Sequence, residues 1–171
     1  MTQELRNLRN SILEGRYDDA LSIVDELESM SKEDKINNIQ SYVIRILIHL
    51  IKIHIEQRLT NSGRALISQS VNRIKRLNLK DSKNSYYLKP GEWEKMLKNS
   101  IEESIDLASV EVLDGTLKPE RISELIDKNQ ILETAQQFLY LTYECSGNEL
   151  TQIIRHKLAQ LSSVKKWQHR D

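Results

Sequence analysis

Residues 31–57 read SKEDKINNIQSYVIRILIHLIKIHIEQ, and the fold turns on how this stretch is read. Ser31-Lys32-Glu33-Asp34 has the form of a capping box, in which side chains satisfy the free N–H groups of a new helix. Beyond it, Ile36, Ile39, Val43, Ile46, Leu47, Leu50 and His54 fall on one side of a helix. Ile44, Ile48, Ile51 and Ile55 fill much of the remaining circumference. A helix apolar nearly all round is a central one. A competing reading exists, because Ile51 to Glu56 alternates and isoleucine favours strands. Length and the capping box decide for a helix over about residues 32–57, since strands usually run 4–8 residues.

Outward from this helix the pattern stays helical. Leu5, Leu8, Ile12 and Leu13 predict a first helix closed by Gly15. Ala20, Leu21, Val24, Leu27 and Met30 predict a second, opened by Asp18 and Asp19. Thr60, Asn61 and Ser62 offer a cap for a fourth helix with Leu66, Ile67, Val71, Ile74 and Leu77. Lys80 to Ser85 reads as a polar loop. Pro90 starts a fifth helix (Trp93, Leu97, Ile101, Ile105, Ala108, Val112) that ends at Gly115, and Pro119 a short sixth. Ile131 to Cys145 forms a seventh helix, and Leu150 to Leu161 an eighth after Gly147. The prediction is an all-α, irregular single-domain bundle of about seven or eight helices over residues 1–161. Residues 162–171 read as a frayed basic tail.

Composition narrows the function classes. The chain has 171 residues, 25 Lys+Arg and 25 Asp+Glu, so its formal net charge is zero and no global field draws it to nucleic acid or membrane. One Cys removes a disulfide framework and points to a reducing compartment. Its spacing from Phe138 and Thr142 makes Cys145 a small hydrophobe. The apolar run from Tyr42 to Ile55 is too short to span a bilayer, and the N-terminus lacks a secretory signal, so a cytoplasmic protein without membrane association is expected. Glycine-rich phosphate loops are absent, and His49 and His54 sit about 140° apart on a helix, so neither a cofactor nor a metal is expected.

The opening LRNLRNSILEGRY (Leu5–Tyr17), IVDELESM (Ile23–Met30), HLIK (His49–Lys52) and EQRLTNS (Glu56–Ser62) resemble the family called domain of unknown function 29 (DUF29), abundant in cyanobacteria. The resemblance covers about residues 1–160. It implies a cytoplasmic all-α domain and brings no biochemical activity with it. Family members usually carry Trp after the serine matching Ser62. Here the residue is Gly63, which puts any role of that Trp in doubt.

Two clusters are candidate sites. Arg45, His49, Lys52 and Glu56 form a polar stripe on the central helix, either a solvated face or the lining of a cleft. In the second case Glu26, or Asp25 or Glu28, should pair with its cations from a second helix packed antiparallel to the third. The other cluster is Arg64, Arg73, Lys75 and Arg76. Six basic residues and no acidic one occur between Gln57 and Lys80, whereas Glu92 to Asp127 holds ten acidic residues against four basic. Tyr86, Tyr87 and Trp93 around Pro90 should wedge the fifth helix against the core. The leading expectation is a non-enzymatic protein-interaction or regulatory module, its partner another protein or a second copy of the chain. The alternative is a nucleic-acid-associated or toxin–antitoxin/defence-type accessory protein that binds weakly through the basic fourth helix. A third reading is an enzyme using His49, Lys52 and a carboxylate.

Overall fold

A computed structural model of the chain describes residues 1–80 and 84–163. Seven α-helices follow one another among them: α1 (Gln3–Leu13), α2 (Tyr17–Glu56), α3 (Asn61–Asn78), α4 (Trp93–Glu111), α5 (Pro119–Leu125), α6 (Lys128–Glu144) and α7 (Gly147–Ser163). The protein is all-α, as its periodicity predicts. Leu79 and Tyr86 form one isolated antiparallel bridge. The stretch Ile51–Glu56 is helical despite its alternation. The final helix runs two residues past the expected start of the tail, and residues 164–171 lie outside the described residues, as do residues 81–83 of the expected polar loop.

One boundary differs from expectation. The predicted second and third helices are a single 40-residue helix, α2, and the chain does not turn at Ser31. A capping box opens a helix only where its first residue leaves the helical conformation. Inside a continuous helix the same polar side chains, Ser31 to Asp34, are simply exposed.

The chain groups into two compact units, Met1–Asn37 and Asn38–Asp171. In the first, α1 ends at Gly15, whose φ of 72° is the left-handed conformation that favours glycine. The Arg16 guanidinium then bridges Glu14 and Asp19 at 2.8 and 2.6 Å. Leu8, Ile23, Val24 and Leu27 are half-buried, while Leu5, Ile12, Leu13, Tyr17, Leu21 and Met30 are exposed.

The second unit holds the core. Ile39, Val43, Leu47, Leu50 and Ile51 of α2 are wholly buried, joined by Ile67 and Ile74 of α3, Leu97 and Ile105 of α4, and Phe138 of α6. Helix α4 packs on α5 and α6, and α3 packs on α6 and α7. Buried Ser70, Ser100 and Ser104 donate to the carbonyls four residues back at 2.7–2.8 Å, so their small side chains face neighbouring helices without stranded hydroxyls. Two contacts align α2 with α4: Gln40 donates to Ser100, and Lys52 pairs with Glu111. Numbering rises along both helices, so the buried half of α2 runs parallel to α4.

The segment between α3 and α4 is held by a buried asparagine. Asn78 accepts from the Leu88 N–H at 2.7 Å and donates to the Leu88 carbonyl at 2.9 Å. The Tyr143 hydroxyl donates to that carbonyl at 2.6 Å and accepts from the Trp93 indole at 2.7 Å. Trp93 is fully buried, and Tyr86 packs edge-on against Tyr143 at 4.7 Å, so these two aromatics do fix the start of α4. Tyr87 lies under Lys80 instead, its ring 5.6 Å from the ammonium.

Leu47→Ala or Leu50→Ala should lower unfolding free energy by about 2–5 kcal/mol, read from urea denaturation. A loss below about 1 kcal/mol at both positions would contradict their burial.

Candidate functional site

Helix α3 starts where Thr60 accepts a hydrogen bond from the Gly63 N–H at 3.0 Å. A Cβ at Gly63 would stand 3.2 Å from that Thr60 oxygen, so the glycine fits this cap. Ile67, Val71 and Ile74 turn one face of α3 into the core. The rows left on the other side are Arg64-Ser68-Asn72-Arg76 and Ala65-Gln69-Arg73, each spaced by four or nearly so.

Helix α7 begins at Gly147, where the Glu149 carboxylate accepts from the Ser146 N–H at 3.1 Å. It buries Leu150, Ile154 and Leu158. Its polar row, Gly147-Thr151-Arg155, meets α3 where the Asn72 amide donates to the Thr151 hydroxyl at 3.0 Å.

Between these helices lies a groove of about 550 Å³. Arg64, Arg73, Arg76 and Arg155 line it, with polar side chains such as Gln69 and Asn148 and, among the described residues, with no carboxylate, imidazole or thiol. None of the four arginines forms an ion pair among the described residues. The Arg64 Nε–H is buried without a hydrogen-bond partner there. A smaller cavity of about 270 Å³ adjoins, sharing Asn72, Arg76 and Gly147 and adding Lys75, Leu79 and Tyr86. Such a place attracts negative charge, because the guanidiniums supply paired donors.

The chain matches no family model, no curated protein and no solved structure.

Three of the four residues expected in the basic patch, Arg64, Arg73 and Arg76, therefore share one groove. Lys75 points elsewhere and donates to the Thr142 carbonyl near the end of α6 at 2.7 Å. Sequence reasoning missed Arg155, whose only local signal is its spacing of four from Thr151 on an otherwise apolar-faced helix.

The polar stripe has a different surrounding from the one expected. Glu26 belongs to the same helix as Arg45, His49 and Lys52, and side chains on one helix meet only at spacings of three or four. The expected antiparallel packing and the pairing with Asp25, Glu26 or Glu28 therefore do not occur. The carboxylate that approaches the stripe is Glu111 of α4, 3.8 Å from the Lys52 ammonium. Arg45 is exposed and lies over the Tyr42 ring at 5.4 Å. Glu56, 10% exposed, accepts from the Leu113 N–H at 3.3 Å and lies 3.9 Å from Arg58. Leu113 starts a run of positive φ through Asp114 to Gly115, of 46°, 58° and 74°. At Gly115 a Cβ would come within 3.1 Å of the Val110 carbonyl oxygen. The lower end of the stripe thus braces a tight left-handed turn. No group of three His, Cys, Asp or Glu placed to hold a metal ion occurs among the described residues.

His49 is 9% exposed, and burial pulls its pKa below 6.5. Glu111 opposes that pull, while Lys52 and Arg45 add to it. The unfolded chain then takes up a proton at this residue before the folded protein does. This contribution is constant above about pH 6.5, and stability falls as pH drops from there toward the folded value. The stability difference between the native protein and His49→Gln should therefore be constant above about pH 6.5 and change as the pH falls below it, measured by thermal unfolding in matched buffers. A difference independent of pH would mean that His49 is not desolvated.

Proposed function

We propose that this protein is a non-enzymatic binding module that captures a negatively charged partner in the groove between α3 and α7. The observation that carries this reading is four arginines that, among the described residues, form no ion pair and line one cavity without a carboxylate. Side chains that bind an anion are present, and among the described residues the lining has no carboxylate, imidazole or thiol to serve as acid or base beside the Ser68 and Thr151 hydroxyls. The regulatory or interaction role expected from the separated charges draws on this groove, and so does the nucleic-acid alternative, through Arg64, Arg73 and Arg76. The enzymatic alternative draws on His49, Lys52 and Glu111. There the lysine already has a carboxylate neighbour and the imidazole is buried. The resemblance to DUF29 and a cytoplasmic setting remain part of this proposal. The structure itself has no helix long and apolar enough to cross a membrane among the described residues.

The test is retention on immobilised heparin, a generic polyanion. A chain of zero net charge should still bind at low salt and elute as salt rises. Arg64→Ala, Arg73→Ala, Arg76→Ala and Arg155→Ala should each elute earlier, whereas Lys98→Ala, on α4 and paired with Glu94, should elute with the native protein. Equal elution of all variants would exclude the groove as the binding surface.

Association of the chain with itself is a second reading. It is supported by the six large apolar side chains exposed on α1 and the first half of α2. Sedimentation of the native protein should show a dimer that Leu13→Asp and Leu21→Asp dissociate, and a monomer at every concentration would remove this reading.

A further inference from the structure

We infer that the arginine groove accommodates a small ligand with two or more linked phosphates, the chemistry shared by inorganic oligophosphate and the phosphate tail of a nucleotide. This rests on the anion-capturing reading above and narrows its occupant. Charge density argues first. Arg64, Arg73, Arg76 and Arg155 place four positive charges around about 550 Å³ with no counter-charge in the lining among the described residues. A carboxylate side chain brings a single charge along with its own backbone. A phosphate group carries about −1.5 to −2 and three acceptor oxygens. Two or three linked phosphates therefore neutralise the groove within its volume, whereas an acidic peptide would have to crowd four side chains into it.

Donor geometry agrees. All four cations are arginines, whose planar forks match phosphate oxygens in pairs. Size and lining argue against a long strand. The volume lies within the roughly 300–1,000 Å³ of small-molecule pockets. Among the described residues no aromatic side chain lines the groove, so a single nucleic-acid strand would forgo the base stacking such strands depend on. The nucleotide form has somewhere to put its base: the adjoining cavity of about 270 Å³ beside Leu79 and Tyr86.

Titration calorimetry on the full chain, at constant ionic strength and without divalent ions, tests this. The probes are tripolyphosphate, adenosine triphosphate, adenosine, a glutamate-rich peptide and a single-stranded oligonucleotide without terminal phosphates. Tripolyphosphate should bind saturably and more tightly than the peptide or the oligonucleotide. Arg64→Gln and Arg155→Gln, one on each wall, should each weaken it about tenfold or more with unchanged circular dichroism. Arg155 is exposed, so its variant keeps the test decisive even if Arg64→Gln disturbs α3. Arg155→Lys, which keeps the charge and loses the fork, should fall between native and Arg155→Gln. If adenosine triphosphate binds more tightly than tripolyphosphate and Tyr86→Ala removes the difference, the natural source is a nucleotide. Equal binding assigns the inorganic form. Absence of saturable tripolyphosphate binding, or binding unchanged in both arginine variants, overturns the inference. If only the peptide or the oligonucleotide binds through these arginines, the anion-capturing reading stands and the phosphate assignment falls. If no probe binds, both fall.

Discussion

Burial of one half of α2 is the constraint around which the second unit is arranged. From Ile39 to Ile55 nearly every turn of this helix is inside, in one cluster with buried side chains of α3, α4, α5, α6 and α7. Each such aliphatic side chain contributes roughly 1.5–3 kcal/mol when removed from water, and together they outweigh the weak preference of isoleucine for strands. The same burial sets the terms for the polar residues on the helix. Lys52 and Glu56 lie near its end and reach Glu111 and the Leu113 N–H. His49, a turn deeper, is held toward its neutral form.

The connections are fixed by single polar side chains that saturate backbone groups. Asn78 uses its oxygen and its amide on the N–H and carbonyl of Leu88, so it does for the loop what a strand partner would do. An aspartate could accept from that N–H but would repel the Leu88 carbonyl, which is why an amide suits the position. Tyr143 joins the same carbonyl to Trp93, and burial raises the pKa of its hydroxyl, keeping it a donor. Glu56 plays the corresponding part for the left-handed turn after α4. There, strain at two residues other than glycine is offset by a captured N–H and by the Thr116 hydroxyl on the Leu113 carbonyl.

The helices were legible because their cause is local: apolar residues recur with helical period, and Gly15, Thr60, Pro90 and Pro119 mark real ends. The continuity of α2 was not legible from its capping box, since Ser31 to Asp34 is compatible with a helix start and with an exposed helix interior alike. The better signal was negative: no Gly or Pro occurs from Tyr17 to Glu56. In the groove, Arg64, Arg73 and Arg76 were readable as a charge run on one helix. Lys75 was not separable from them, because only the fold brings the Thr142 carbonyl within its reach. Arg155 and Glu111 were invisible for the same reason. Each acts on a helix distant in sequence, and pairing across helices leaves no trace in spacing.

A chain with as many acidic as basic residues could have neutralised its arginines internally, and elsewhere it does. Arg16, Lys98, Arg121 and Lys128 each have a carboxylate within 3 Å. The acidic residues of α4 and α5 are spent on other faces, and the α3 segment contains none. The result is four like charges kept together against their mutual repulsion, which works against stability. Such an arrangement is not required by packing. Ile67, Val71 and Ile74 already bind α3 to the core from its opposite face. Nor is it required for helix formation, to which the Thr60 cap and the apolar face are the stronger contributors. The exposed rows of α3 were therefore free to carry acids, and the folded chain brings a further arginine from α7 to them instead. Water and salt screen part of that repulsion at the exposed Arg73, Arg76 and Arg155, and an anion in the groove would relieve more of it, which is the electrostatic basis of the proposed role.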